Sequence, residues 1–219
     1  MSSNSSLFRP GAIEIIVGPM FSGKTAELIE RGKRVERYMG KKVLYFKPIV
    51  DDRDLEIKSR NGMACEAYLF EDPQEILQVT KELEEPALIL IDEVQFARKS
   101  IIHVIELMTD QMHNHNVVAS GLNTTFVGIP FEVTAHIMAI ATYPPKWLVA
   151  VCQYSNDIIQ CDRDATRNQR LKYGKPVSAF EEEVLIEKKG ENPYTYMPVC
   201  KKHHRVLEIE EFRKERIRG

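Results

Sequence analysis

The segment EIIVGPMFSGKTAELIERGKR, residues 14–34, decides the predicted fold. It reads as an apolar strand, a loop bounded by Gly18 and Gly23, and an amphipathic helix. The loop, GPMFSGKT, fits the pattern G-x-x-x-x-G-K-[ST], in which main-chain N–H groups and the start of a helix surround a polyphosphate. A chance glycine turn is the alternative, but the strand before the loop and the helix after it favour a phosphate-binding loop.

The side chains that end this loop have defined roles in such sites. We expect the Lys24 ammonium group to contact the β- and γ-phosphates, and the Thr25 hydroxyl to bind Mg²⁺. The sequence therefore predicts a site for a nucleoside triphosphate such as ATP. The predicted ATP-binding residues of the loop are Gly18, Pro19, Met20, Phe21, Ser22, Gly23, Lys24 and Thr25.

Apolar strand patterns alternate with helical patterns through residue 121. Near-continuously apolar runs, typical of strands covered on both faces, occupy residues 12–17, 42–47, 87–91 and 117–121. Helical patterns occupy residues 24–39, 72–86 and 100–116. This alternation predicts an α/β fold of the P-loop, RecA-like kind, with a mostly parallel sheet flanked by helices and ligands beyond the carboxyl ends of the strands.

The composition limits the domain organisation and the class of partner. A chain of 219 residues is long enough for one main domain with a small addition. A formal net charge of −2 argues against a nucleic-acid-binding protein, and no apolar run approaches the length of a membrane span. We therefore expect a cytoplasmic protein without a nucleic-acid or membrane partner.

The sequence pattern changes near residue 146, where short strand patterns, turn residues and metal-ligand side chains replace the long helical patterns. Three of the four cysteines lie between residues 152 and 200, which in a reducing compartment indicates a metal site. We expect a disordered tail at 1–10, a P-loop domain at 11–145, a small second unit at 146–204 and a C-terminal helix at 205–219. Pro144, Pro145 and Trp147 are interpreted as the hinge before the second unit.

Asp92 and Glu93 follow the buried strand ALILI. A P-loop protein needs a carboxylate at this place to hold the magnesium shell, and we assign that role to Asp92. Glu93 could accept a proton from an attacking hydroxyl group or water. The alternative is a solvated pair of acidic residues in a loop.

Four motifs together resemble the cytosolic, zinc-containing (type II) thymidine kinase family. GPMFSGKT, KPIVDDR, IDEVQF and GLNTTFVGIPF occur in the family's order, and the resemblance covers residues 11–204. It implies an ATP:thymidine 5′-phosphotransferase of nucleoside salvage, with catalytic Mg²⁺, structural Zn²⁺ and a homotetrameric assembly. The small second unit then corresponds to a zinc-ribbon-like lasso domain.

The resemblance also implies roles for individual residues. Glu93 would be the base that acts on the 5′-hydroxyl group, and Gln95 beside it is grouped with the predicted ATP-binding residues. Without the resemblance, Phe126 and Phe131 would be interpreted as core residues or loop anchors. Asp51, Asp52 and Arg53 would approach the phosphates, and the nucleoside would contact Met20, Leu122, Phe126, Phe131, Val184, Leu185, Ile186, Glu187 and Tyr196.

The predicted zinc ligands are Cys152, Cys161, Cys200 and His203. Cys200 and His203 form C-x-x-H, in which one tight turn presents both ligands. The other half is irregular, because eight residues separate Cys152 from Cys161 where the family has two. His204 as the ligand in place of His203, and a merely buried Cys152, are the alternatives.

Departures from the family pattern cluster on the nucleoside side. Asn123 stands where the family has an acidic residue, Glu132 replaces a glycine, and the lasso lacks the family's glycine pair. The triphosphate motifs are intact, so phosphoryl transfer is better supported than the choice of base. A P-loop ATPase acting on nucleic acid, and a non-catalytic nucleotide-sensing module, remain the other hypotheses.

Overall fold

The computed structural model describes residues 7–49, 56–59, 62–110, 114–155, 160–183 and 193–218. None of the helices in these ranges is both long and apolar enough to span a bilayer. The helices are α1 Lys24–Met39, α2 Gln74–Thr80, α3 Ile101–Asp110, α4 Glu132–Ile140 and α5 Ile209–Arg218, with a 3₁₀ turn at Val94–Phe96. The strands are β1 Ile13–Val17, β2 Val43–Pro48, β3 Glu56–Lys58, β4 Ala64–Glu66, β5 Tyr68–Phe70, β6 Leu88–Ile91, β7 Asn116–Gly121, β8 Lys146–Trp147, β9 Ala150–Val151, β10 Asp164–Ala165, β11 Arg167–Lys172, β12 Lys175–Pro176 and β13 Tyr194–Val199.

The main sheet has six parallel strands in the order β5-β2-β6-β7-β1-β8. β6 and β7 are buried along their whole length, which explains why β6 and the centre of β7 are apolar without alternation. The predicted mostly parallel α/β sheet is therefore confirmed.

The register brings the carboxyl ends of the central strands to one edge. Ile91 of β6 lies opposite Ala119 of β7, and Val17 of β1 lies opposite Gly121 of β7. The next residue after β6 is Asp92, which places its carboxylate at the edge where a parallel sheet of this class binds ligands.

Helix α1 begins and ends where the sequence predicts. Its inward face carries Leu28, Ile29 and Val35, all fully buried. The helix stops at Gly40, whose φ of 60° is left-handed and whose N–H group donates to the Glu36 carbonyl oxygen.

Two predicted helices are shorter than the sequence pattern suggested. α2 ends at Thr80 because the following residues, KELEEP, are charged and lead to a proline. The pattern at 100–116 included Asn116, but Asn116 begins β7. There its side chain accepts a hydrogen bond from the Arg9 N–H group and donates one to the Ala12 carbonyl oxygen.

The sequence patterns did not predict β3, β4, β5, α4 or β8. α4 follows the loop that ends at Phe131, and its buried side is formed by Val133, Thr134 and Ile137. β8 pairs in parallel with β1 at the edge of the sheet, so Trp147 lies in a strand. A strand of two residues has no periodicity of its own, and only its pairing with β1 reveals it.

The chain divides into two compact units. The first comprises Met1–Val17, Gly23–Gly121 and Glu132–Trp147, and holds the six-stranded sheet. The second comprises Gly18–Ser22, Leu122–Phe131 and Leu148–Gly219. Two internal segments therefore group with the second unit, which sequence reasoning had confined to the chain after residue 145.

The second unit is built from short antiparallel strands. β11 pairs with β12 and β13, and β9 pairs with β10. One small core contains the buried residues Ala150, Cys152, Cys161, Ala165, Val199 and Cys200. A second contains Phe126, Val127, Val177 and Ala179, against which Phe212 of α5 packs.

Part of the predicted tail at residues 1–10 is packed against the rest of the first unit. Phe8 is buried, the Arg31 guanidinium donates to the Leu7 carbonyl oxygen, and Arg9 forms an ion pair with Glu14 at 3.2 Å. The predicted disordered tail is therefore wrong for residues 7–10, because long-range hydrogen bonds with Arg31 and Asn116 and the ion pair with Glu14 hold this segment.

Replacing Glu14 with alanine tests this network. Glu14 accepts hydrogen bonds from Arg9, Arg31 and Asn116, and its side chain is only 13% exposed. The variant leaves the equally buried Arg31 without its carboxylate, and we expect a loss of about 2 kcal/mol in the free energy of unfolding.

Urea unfolding measures this loss as a lower midpoint with an unchanged slope. The matched control is Glu85→Ala, which breaks the exposed Lys41–Glu85 pair and should cost less than about 0.5 kcal/mol. Equal losses in the two variants would contradict the role of Glu14.

Candidate functional site

The segment Gly18–Thr25 has the backbone of a phosphate-binding loop. Phe21 and Gly23 are left-handed, with φ of 64° and 86°, and the Ser22 hydroxyl donates to the Pro19 carbonyl oxygen at 2.9 Å. α1 starts directly after Gly23. Left-handed residues just before a helix help to turn main-chain N–H groups toward one point, which suits an anion.

Gly18 is required by its surroundings. A Cβ atom at this position would overlap the Leu148 carbonyl oxygen and lie 2.8 Å from the Ser22 hydroxyl. Lys24, at the start of α1, is buried with 7% of its surface exposed. A lysine held in this way is pre-positioned for a phosphate rather than freely mobile.

The Asp92 carboxylate joins three elements of the first unit. Its Oδ2 accepts a hydrogen bond from the Thr25 hydroxyl at 2.9 Å, and its Oδ1 accepts one from the Ser120 hydroxyl. Asp92 is 3% exposed. The structure thus brings together the two residues that the sequence assigned to Mg²⁺, and their oxygen atoms are the ligands that this ion prefers.

Ser120 was not identified from the sequence. It lies in β7, one position past the residue that pairs with Ile91, so the parallel register sets it beside Asp92. The register of two parallel strands was the signal that could have found it, and the sequence does not display that register.

Glu93 has a left-handed backbone, φ 51°, at the start of the 3₁₀ turn. Its side chain keeps some access to solvent, but burial raises the pKa of this carboxyl, and the Asp92 charge raises it further. Lys24, the hydrogen bond from Gln95 and Lys47 act in the opposite direction. A carboxylate with a raised pKa is a better proton acceptor than an ordinary one.

Gln95 orients Glu93 rather than facing outward. Its Nε2 donates to Glu93 Oε2, and the residue is 7% exposed. A Cβ atom at Gly121 would lie 2.7 Å from Gln95 Oε1, so a glycine at this position makes room for the amide. The sequence grouped Gln95 with the ATP-binding residues, and the structure records it as a partner of Glu93.

The segment Leu122–Phe131, called here the 122–131 loop, is closed by its own backbone. The Thr125 N–H group donates to the Ile129 carbonyl oxygen at 2.8 Å, and the Phe131 N–H group donates to the Asn123 carbonyl oxygen at 3.2 Å. Thr124 and Pro130 also form an isolated antiparallel bridge.

Three side chains of the second unit hold this loop. The Asn168 amide donates to the Thr124 carbonyl oxygen at 3.4 Å and accepts from the Met20 N–H group at 2.8 Å. The buried Arg170 guanidinium lies 3.6 Å from the centre of the Phe126 ring. His204 Nε2 lies 2.7 Å from the Phe126 carbonyl oxygen.

Phe126 is only 2% exposed, and Arg170 covers one face of its ring. The other residues assigned to the nucleoside, Met20, Leu122, Phe131 and Tyr196, are half-buried. Glu132, one of the departures from the family pattern, begins α4 and forms an ion pair with Lys99 at 2.5 Å. Asp51, Asp52, Arg53, Val184, Leu185, Ile186 and Glu187 lie outside the described residues.

The four predicted zinc ligands come together. The thiol sulfur atoms of Cys152, Cys161 and Cys200 and a ring nitrogen of His203 all lie within 4.8 Å of one another. His203 Nδ1 is 3.6 Å from Cys152 Sγ and 3.5 Å from Cys200 Sγ. Three thiols and one imidazole at such distances fit a tetrahedral structural zinc site.

Backbone pairing joins the two ends of the segment that separates Cys152 from Cys161. Ser155 and Gln160 form a bridge, and the Cys161 N–H group donates to the Tyr154 carbonyl oxygen at 3.0 Å. The extra residues between the two cysteines therefore leave the cluster intact. Tyr154 also stacks on His203, with ring centres 4.0 Å apart.

The choice between the two neighbouring histidines is also resolved. His203 belongs to the cluster, whereas the His204 ring approaches the Phe126 carbonyl oxygen. Cys65, the fourth cysteine, lies on β4 and is not among the cluster residues.

Known proteins provide an independent comparison. A curated thymidine kinase of Thermococcus kodakarensis is 37% identical over 203 residues, which are 90% of this chain and 95% of that protein. A solved structure of a RuvB mutant from Thermogota maritima has a TM-score of 0.38 and 7% identity, and the match covers 65% of this chain and 39% of that one. That likeness is too weak to bear on fold or function. The sequence profile of thymidine kinases matches residues 11–204, and the chain therefore belongs to the thymidine kinase family.

Proposed function

We propose that this protein transfers the γ-phosphoryl group of ATP to the 5′-hydroxyl group of thymidine. Family membership supports a nucleoside kinase, with a nucleoside and ATP as substrates. The structural observation that carries the proposal is the pairing of Asp92, which binds the Thr25 hydroxyl, with a Glu93 of raised pKa. The product, thymidine 5′-monophosphate, would be a precursor for DNA synthesis.

The triphosphate is held by the Gly18–Thr25 loop. Its main-chain N–H groups and the Lys24 ammonium group bind the phosphate oxygens and stabilise the charge of the transferring phosphoryl group. Asp92 and Thr25 would hold Mg²⁺, which neutralises phosphate charge when it is bound. Asp51, Asp52 and Arg53 remain predicted contributors on the phosphate side.

Glu93 is the proposed base. Its carboxylate takes the proton of the 5′-hydroxyl group as the oxygen attacks the γ-phosphorus, and Gln95 keeps one carboxylate oxygen oriented by its donated hydrogen bond. The positive charges of Lys24 and Lys47 favour the deprotonated form of Glu93 and so oppose the effect of its burial.

The nucleoside contacts rest on the motif match. We assign Met20, Leu122, Phe131 and Tyr196 to the nucleoside, together with the lasso residues Val184, Leu185, Ile186 and Glu187. Phe126 acts through the backbone of the 122–131 loop, since its ring is buried against Arg170.

The Cys₃His cluster is proposed to bind one structural Zn²⁺, which would cross-link the strands of the second unit. A homotetramer is the assembly that the family resemblance predicts. A P-loop ATPase acting on nucleic acid is not favoured, because the profile match and the curated relative both point to nucleoside phosphorylation.

A coupled assay with ATP and a panel of nucleosides tests the function. We expect phosphorylation of thymidine, with lower kcat/KM for deoxyuridine and deoxycytidine, because the motifs of the nucleoside side match thymidine kinases. A rate of ATP hydrolysis that is unchanged by every nucleoside and rises with added DNA would overturn the proposal in favour of the ATPase.

The variant Glu93→Gln tests the base. We expect kcat to fall about 10²- to 10⁴-fold while the Kd for ATP stays within about twofold, since the amide cannot take the proton. In the wild type, activity should rise with pH through the raised pKa of Glu93, so the acidic limb of kcat/KM lies above the range of an ordinary carboxyl.

That acidic limb should be missing from the residual activity of the variant. Glu106→Gln, an exposed change on α3, is the control and should leave kcat unaltered. Full activity of Glu93→Gln would remove Glu93 from the mechanism.

Ser120→Ala tests the support of Asp92. Without the Ser120 hydroxyl the carboxylate loses one of its two hydrogen bonds, and we expect about tenfold more Mg²⁺ to be needed for half-maximal activity. Calorimetric titration of Mg²⁺ into the ADP-bound protein should show the same shift without turnover. Thr80→Val removes a buried hydroxyl that bonds within α2, and it should leave Mg²⁺ dependence unchanged. Equal Mg²⁺ dependence in the wild type and Ser120→Ala would refute this role.

A further inference from the structure

His204 links the cysteine and histidine cluster of the second unit to the 122–131 loop. It directly follows the cluster residue His203, and its Nε2 lies 2.7 Å from the Phe126 carbonyl oxygen in the 122–131 loop. A carbonyl oxygen only accepts, so Nε2 carries the proton and donates.

The turn that carries His204 is the turn that builds the cluster. The N–H groups of His203 and His204 both donate to the Cys200 carbonyl oxygen, at 3.0 Å and 3.1 Å. A metal ion held by Cys200 and His203 would fix this turn, and the position of the next residue with it. Loss of the ion would release both.

The hydrogen bond from His204 is accepted in the middle of the 122–131 loop. Phe126 packs with Val127, Val177 and Ala179, and Arg170 covers its ring. Asn168 and Arg170 hold the loop from β11, whereas His204 holds it from the cluster. The ends of the same loop carry Leu122 and Phe131, which the proposed function assigns to the nucleoside.

We propose that His204 is a positioning residue that couples metal binding at the Cys152, Cys161, Cys200 and His203 cluster to nucleoside binding by the 122–131 loop. This inference rests on the proposed function, because the loop must hold a nucleoside. The coupling is reciprocal: a bound nucleoside raises the affinity for Zn²⁺ by the factor by which Zn²⁺ raises the affinity for the nucleoside.

Two substitutions in the full-length, zinc-loaded protein distinguish the effect of losing the hydrogen bond from the effect of changing the size of the side chain. His204→Leu removes the donor, and we expect it to weaken thymidine binding about tenfold while ATP binding changes less than about twofold. His204→Gln retains an N–H donor and should stay within about threefold of the wild type. The matched control is His103→Leu, an exposed change on α3 in the first unit. Calorimetry gives the Kd values, and elemental analysis gives the zinc content.

The second measurement is Zn²⁺ affinity by chelator competition, with and without thymidine. Thymidine should raise the Zn²⁺ affinity of the wild type and leave that of His204→Leu unchanged. If His204→Leu does not fold or loses its zinc, the wild-type titration and His204→Gln decide the matter.

The outcomes are distinguishable. A wild type that binds no thymidine overturns the proposed function and this inference together. A wild type that binds thymidine, but with a Zn²⁺ affinity that thymidine leaves unchanged, overturns the coupling alone. A His204→Leu variant that folds and binds both ligands as the wild type does also overturns the coupling alone.

Discussion

The Asp92 carboxylate is the constraint on which the chemistry of the first unit depends. It accepts hydroxyl hydrogen bonds from the start of α1 and from β7, and it follows β6. Three elements distant in sequence are thus fixed relative to one oxygen pair. Because the carboxylate is nearly excluded from water, both of its oxygens need such partners, and a loss of either would leave a buried charge poorly compensated.

The neighbouring Glu93 is affected first by its own burial and then by this charge. Burial raises the pKa of Glu93, repulsion by the Asp92 carboxylate raises it further, and Lys24 and Lys47 act in the opposite direction. Gln95 then fixes the direction of the Glu93 carboxylate, and Gly121 leaves the space that this amide fills. The acid proposed to bind the metal ion and the acid proposed to accept the proton are therefore adjacent in sequence but differ in environment.

Sequence patterns predicted the elements whose structure depends mainly on neighbouring residues along the chain. α1 was predicted with its bounds because its apolar positions recur at helical spacing and a glycine follows, and β6 and β7 because strands buried on both faces are continuously apolar. The phosphate-binding loop and the cysteine and histidine cluster were predicted because fixed residue types must occur at nearly fixed spacing.

The residues missed by sequence reasoning act through contacts that only the folded chain creates. Ser120 reaches Asp92 through the register of β6 and β7, and His204 reaches Phe126 across 78 residues of sequence. Phe126 had been predicted to contact the base, and a phenylalanine at that position gives no sign that Arg170 will cover its ring. β8 was missed because a strand of two residues has no period.

The stability of the second unit depends strongly on the cysteine and histidine cluster. Of the six buried residues in the core around it, three are cysteines and two are alanines, so this core has little apolar volume without a metal ion. A bound ion would supply the cross-links that such a small core lacks, and its binding energy would count as folding energy. Since the turn from Cys200 to His204 also holds the 122–131 loop, the element that stabilises this unit would also position a segment assigned to the nucleoside. The bridge between Ser155 and Gln160 brings the chain back on itself between Cys152 and Cys161, so the longer spacing is compatible with both cysteines in the cluster.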